Sequence, residues 1–161
     1  MSDLGKTHYI AVTCIIVKDE KFLITKRAPH EKHFPNRWTV PGGKLEADDY
    51  QSRKLDTDNA WYNVLENLAK REIFEETGLK VKDMGYVTSL VFMRPDGIPT
   101  LVISLYAHYD SGEVKLDSSM SDYTWVGVNE AKNYEFISGI YEEIQMVDKI
   151  LKGEKIGEWE K

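Results

Sequence analysis

A helix whose apolar stripe turns into carboxylates constrains this chain more than any other feature of its sequence. Asp58 reads as the cap of a helix that runs to Thr77, and Gly78 as the left-handed residue that ends it. At about 100° per residue, Trp61, Val64, Leu65 and Leu68 share one face, which continues into Glu72, Glu75 and Glu76. The three acids stand at i, i+3 and i+4 in the last turn, where their mutual repulsion and the helix dipole both oppose them. Each exposed anion there costs roughly 0.3 to 1 kcal/mol, and a divalent cation among the oxygens reverses that sign. The ordinary use of such a segment is a solvated acidic face with Arg71 paired to Glu75. A metal site is favoured here by the Gly42-Gly43 turn after a short extended piece, Trp38 to Val40. Those glycines let the backbone approach a ligand closely, and magnesium or manganese takes carboxylate and carbonyl oxygen.

The remaining pattern places that helix against a sheet. Tyr9 to Val17 is rich in β-branched residues, Asp19-Glu20 makes a turn, and Phe22 to Thr25 resumes the apolar pattern as a hairpin. Strands near 84–93 and 101–109 flank Pro95-Asp96-Gly97, and Tyr123 to Val128 reads as another strand, so the sheet is mixed and partly antiparallel. Glu46 to Asn59 is polar without periodicity and reads as a long loop. Ile140, Ile144, Val147 and Leu151 repeat at helical spacing, with Ser138 as cap and Gly153 beyond. No break in composition divides the 161 residues, so a single domain over 1–161 is expected.

Charge and cysteine content narrow the partners. Twenty-seven acidic against twenty-one basic residues give a formal charge of -6, which disfavours a nucleic-acid backbone as the main partner. Cys14, the lone cysteine, excludes an intrachain disulfide and a cysteine-rich metal site; inside an apolar strand it reads as an inert thiol in a reducing, cytoplasmic setting. No segment approaches the run of about 20 apolar residues that spans a bilayer. His30 and His33 have ligand-like spacing but no third partner nearby.

Gly43-Lys44-Leu45-Glu46, followed by Arg71-Glu72-Ile73-Phe74-Glu75-Glu76-Thr77-Gly78-Leu79, resembles the box of the Nudix hydrolases, usually written G-x5-E-x7-R-E-U-x-E-E-x-G-U. Arg71 to Leu79 matches every fixed position, and Trp38 to Gly43 resembles the approach typical of MutT-like members. Two departures stand out. Gly43 and Arg71 are 28 positions apart instead of the family's 14, so a 14-residue insertion, read as 49–62, splits the box. Counting forward from Gly43 puts Asp49 in place of the first box glutamate, counting back from Arg71 puts Asn63 there, and both Glu46 and Asp49 are candidates to steady Arg71. The acid that many relatives carry six positions before the late-strand tryptophan, here Trp125, is Ser119, with Asp117 and Asp122 as possible substitutes.

The resemblance implies a Nudix-type α/β/α sandwich and a pyrophosphohydrolase that uses Mg2+ or Mn2+ on a nucleoside diphosphate linked to another moiety. Its first expected substrate is a nucleoside triphosphate, canonical or oxidised, giving nucleoside monophosphate and pyrophosphate. ADP-ribose, nucleotide sugars and dinucleoside polyphosphates are alternatives, as is a non-catalytic nucleotide sensor. By carry-over, the Gly42 carbonyl, Glu72, Glu75 and Glu76 are metal ligands, with Glu72, Glu75 and Arg71 in the catalytic group and Glu75 or Glu72 as base. Arg27, Trp38, Gly43, Lys44 and Glu46 are the expected substrate contacts, although an aromatic beside a strand, as Trp38 is, more often belongs to the core; Phe34 is a second stacking aromatic, and Arg94 either reaches the substrate or blunts its turn. The partner is then a small nucleotide, with neither nucleic acid nor membrane, and the chain is a monomer or homodimer.

Overall fold

The computed structural model describes residues 4–161. Strand β1 (Tyr9–Lys18) lies in the middle of a seven-stranded sheet, and its alternation decides the layers. Val12, Cys14 and Ile16 point to one face, where they pack with Leu68, Ala69 and Ile73 of helix α2 (Val64–Thr77). Ile15 and Val17 point to the other, where they meet Ile140, Ile144 and Val147 of helix α4 (Ile140–Leu151). A period of two on the strand therefore generates an α/β/α sandwich.

One edge of β1 pairs in parallel with β6 (Pro99–Ser111), from Tyr9 opposite Thr100 to Val17 opposite His108, and β6 pairs antiparallel with β5 (Lys80–Met93). The other edge forks. Near its C-terminal end β1 forms a hairpin with β2 (Lys21–Arg27), whereas residues 11–13 pair with β4 (Gly42–Lys44). The fork opens at Cys14, whose N–H bonds the Pro41 carbonyl at 2.8 Å. Beyond β2 lie β3 (Trp38–Thr39) and β7 (Met120–Val126), both antiparallel to it. The mixed sheet and its hairpins agree with the sequence reading; β7 starts earlier than expected, at Met120, and ends earlier because Val128 opens the short helix α3 (Val128–Ala131).

Three local expectations are corrected. Helix α2 starts at Val64 instead of being capped by Asp58, because Asn63 is left-handed (φ 55°) and residues 53–62 are tied into a loop. Trp61 thus leaves the helical stripe and packs on Tyr50, ring centroids 5.1 Å apart. The polar stretch 46–59 contains a short helix, α1 (Asp48–Gln51). Ser138 does not cap α4; left-handed Gly139 precedes it with no side-chain cap, and Leu151 at the far end is exposed. Gly78 ends α2 in the left-handed region (φ 75°), as its position predicts.

Candidate active site

Helix α2 and strand β4 meet so closely that the site exists only because β4 begins with two glycines. A Cβ on Gly43 would lie 2.2 Å from the Glu72 carboxyl carbon, and one on Gly42 would lie 2.3 Å from the Val12 carbonyl oxygen. A side chain at Gly43 would collide with the Glu72 carboxylate on the helix, and one at Gly42 would push β4 off β1. Glu72 and Glu76 are thereby held under the turn, Glu76 only 8% exposed, while Glu75, one turn position round, faces solvent.

The electrostatics of this pair are unfavourable as they stand. The Gly42 N–H faces Glu76, yet the Glu76 Oε2 is buried without any hydrogen-bond partner. Burial, then the neighbouring charges of Glu72 and Asp117, push the Glu76 carboxyl up to about 9. Burial also raises Glu72, opposed by Arg71 beside it. Two adjacent carboxyls that resist joint ionisation form a site that gains from a cation. Among the described residues no three acidic, imidazole or thiol side chains form a complete metal cage. Glu75 turns instead to Arg71, with its Oε2 3.1 Å from the Arg71 Nη1. Magnesium is commonly held by one or two carboxylates and completed by substrate phosphate, so Glu72, Glu76 and the orphaned Oε2 fit that ion.

Arg71 organises the acids from the side. Its Nε donates to Asp49 Oδ1 at 2.5 Å, and its Nη1 lies 3.0 Å from Glu72 Oε1. Partial burial works against its charge, but the Asp49 hydrogen bond and the carboxylates of Glu72, Asp49 and Glu75 outweigh it and hold the guanidinium charged. The partner that steadies Arg71 is therefore Asp49, whose other oxygen accepts the Glu46 N–H at 2.7 Å; the Glu46 side chain is exposed. Since Asp49 stands six positions after Gly43, as the box requires, the inserted residues are 50–63.

Beside Glu76 a cavity of about 430 Å3 runs across the α4 face of the sheet, lined mainly by apolar side chains. Arg27, Gly42, Gly43, Lys44 and Glu76 line it, as do Phe34 and Arg94. Arg27 is oriented by a 2.7 Å hydrogen bond from its Nε to the His33 carbonyl. Lys44 Nζ and Arg94 Cζ lie 5.3 and 4.6 Å from the Tyr9 ring centroid, so two cations gather at one rim. Trp38 is displaced from its expected role: it packs edge-on against Tyr134 at 5.0 Å and joins the core beside α4. Glu46 is likewise outside the cavity lining.

Sequence reasoning did not single out Leu90, Phe92, Met120 and Ile137, which build the apolar wall of the cavity. The one signal was an unbroken apolar run, Leu90 to Met93, that departs from strand alternation. Asp117 sits beside Glu76, with its N–H 3.2 Å from the Glu76 carbonyl, and its carboxylate accepts the Ser119 hydroxyl at 2.5 Å. Asp122 lies away on β7, opposite Lys26.

Known proteins agree with this architecture. Residues 7–144 match the NUDIX domain. The NAD-capped RNA hydrolase NudC of Vibrio parahaemolyticus is 34% identical over 125 residues, covering 76% of this chain and 42% of that protein. NudC of Vibrio cholerae is 30% identical over 128 residues, 78% of this chain and 41% of its own. The chain thus spans about two fifths of the length of these curated relatives. Among solved structures, a MutT protein from Methanosarcina mazei superposes with a TM-score of 0.66 at 21% identity, over 91% of this chain and 97% of its own. The NUDIX domain of Shewanella oneidensis NrtR, solved with ADP ribose, gives 0.68 at 16% identity over 94% of both. With that match over most of its length, this chain belongs to the NUDIX domain family.

Proposed function

We propose that this protein is a magnesium-dependent pyrophosphohydrolase acting on a nucleoside diphosphate linked to a second moiety. The observation that carries the reading is Glu76, buried with an unpartnered Oε2 beside half-buried Glu72, in the wall of a mainly apolar cavity. A polyanionic pyrophosphate enters such an acidic site only through cations, which Glu72 and Glu76 would hold. A bound divalent ion neutralises phosphate charge and makes water more acidic. Arg27 and Lys44 bind phosphate oxygens on the opposite side, while Phe34 and Phe92 pack against the base. Glu75, exposed and held by Arg71, accepts the proton as water attacks phosphorus. The P–O–P bond breaks, and nucleoside monophosphate leaves with the phosphorylated second moiety.

A nucleoside triphosphate, canonical or oxidised, is the first substrate for which the sequence argues. A second reading, an NAD-type dinucleotide, free or as an RNA cap, is supported by the 34% identity to a protein named for hydrolysing NAD-capped RNA. The formal charge of -6 favours the free dinucleotide over a long RNA in that case. The lone buried Cys14 suits a reducing compartment, and no helix among the described residues is long and apolar enough to cross a membrane.

The test is product analysis with magnesium, and with chelator, on nucleoside triphosphates, 8-oxo-dGTP, NADH, NAD-capped RNA, ADP-ribose, nucleotide sugars and diadenosine polyphosphates. Metal-dependent release of a nucleoside monophosphate from one class is the expected outcome. Nucleotide binding without turnover of any compound would replace the enzyme by a sensor.

A further inference from the structure

The inserted residues 50–63 are mostly exposed, and none of them lines the cavity. They form a small closed unit built around Arg53. The Arg53 Nη1 donates to Asp56 Oδ2 at 2.7 Å on the outgoing limb, and its Nη2 donates to the Tyr62 carbonyl on the returning limb. The same Asp56 oxygen accepts the Tyr62 N–H at 2.8 Å. The Arg53 carbonyl accepts the Trp61 Nε1–H at 3.0 Å, and Trp61 packs on Tyr50 of α1. The Arg53 Nε is buried, while the side chain as a whole stays 31% exposed. Tyr50 follows Asp49 directly, and Asp49, its side chain 6% exposed, is the residue that fixes Arg71. A continuous chain of contacts therefore runs from the Arg53 carbonyl through Trp61, Tyr50 and Asp49 to the guanidinium that orients Glu72 and Glu75, while the Arg53 guanidinium ties Asp56 to Tyr62, the neighbour of Trp61.

We propose that Arg53 is a positioning residue of the active site: by clasping the two limbs of the insertion it sets α1, and through Asp49 it holds Arg71 against the catalytic glutamates. The box carries the shorter aspartate where a glutamate is usual, so its reach depends on where α1 is held, and the insertion supplies that support. The kinetic half of this inference rests on the pyrophosphohydrolase reading; the structural half does not.

Arg53→Ala should lower kcat at least tenfold on the substrate identified above with KM changed less than threefold. Asp49→Ala should do the same, and the double variant should lose little more than either single one, because the two act in series. In 15N-labelled protein the Arg71 Nε–H signal, assigned by its loss in Arg71→Lys, should be sharp in the wild type and exchange at least tenfold faster in Arg53→Ala. Trp61→Phe keeps the ring packing and removes only the bond to the Arg53 carbonyl; it covers the case in which Arg53→Ala does not fold, and should shift the same signal in the same direction. Asp58→Asn, on the exposed tip, should change neither readout. A folded Arg53→Ala that keeps kcat within twofold and an unchanged Arg71 signal overturns the proposal, as does a lowered melting temperature with both readouts intact. If the wild type hydrolyses nothing, the functional reading fails while the Arg71 exchange rate still decides this one.

Discussion

Replacing Glu76 by glutamine should stabilise the metal-free protein at neutral pH, against the usual effect of altering a buried residue. Glu76 is pushed to about 9 in the folded chain from an ordinary value of 4.5. Between those limits the unfolded chain has released a proton that the folded chain retains, so stability is complete below about pH 4.5 and falls as pH rises towards 9. One proton of difference is worth about 1.4 kcal/mol per pH unit, so by pH 7 the wild type has lost roughly 3 kcal/mol. In a chain of this length that corresponds to about 6 to 12 °C in melting temperature. Glu76→Gln keeps the shape and the acceptor for the Gly42 N–H but has no proton to lose. Thermal unfolding in chelator from pH 5 to 9 should show the wild type falling more steeply, with Glu76→Gln melting higher at pH 7.5. The variant keeps a shallower slope from Glu143 and Glu72, which burial also raises and which act with the same sign. Magnesium should reverse the order by raising the wild type alone. Equal slopes, or a variant no more stable than the wild type at pH 7.5 in chelator, would refute the claim that Glu76 is held neutral without a cation.

Glu75→Gln should reduce kcat by at least about a hundredfold, the lower range for loss of a general base, while melting within about 2 °C of the wild type because the side chain is 54% exposed; wild-type turnover would remove Glu75 from the mechanism. Gly43→Ala should cost more than tenfold in activity and roughly 1 to 3 kcal/mol in stability, since its new methyl would meet the Glu72 carboxylate; denaturant titration and assay of the same sample check both. Cys14, buried and pushed up to about 12 by its burial, should resist iodoacetamide in the native protein and react fully once unfolded, as read by intact mass.

What the sequence made legible was whatever depends on local period and on residues that have few other uses. The alternation of β1, the Pro95-Asp96-Gly97 turn and the Arg71 to Leu79 segment each have one comfortable structure, and the structure adopts it. The start of α2 was illegible because Asp58 and Trp61 suit a helix equally well locally; the Arg53 guanidinium instead ties Asp56 to Tyr62 in a loop, and the Tyr50 ring takes Trp61. Trp38 was ambiguous for the same reason, an aromatic next to a strand having either core or ligand as neighbour until Tyr134 settles it. The apolar cavity wall joins Leu90 and Phe92 of one hairpin to Met120 and Ile137 from distant segments, a juxtaposition that no local period encodes. The choice of Asp49 over Glu46 needed the register of α1, which turns one carboxylate inward and leaves the other outside.

The parallel pairing of β1 with β6 has a consequence for how the chain reaches this state. Val12 faces Ile103, so the centre of the sheet cannot close until a loop of about 91 residues has been drawn together. Such distant partners make for slow folding, because the entropy of closure is lost before the contacts reward it. Seen from that pairing, the insertion only lengthens an already long loop from about 77 to 91 residues, a closure penalty on the order of 0.1 kcal/mol. The folding rate should therefore be nearly indifferent to whether residues 50–63 are present, and a lineage could acquire them without slowing the step that limits its assembly.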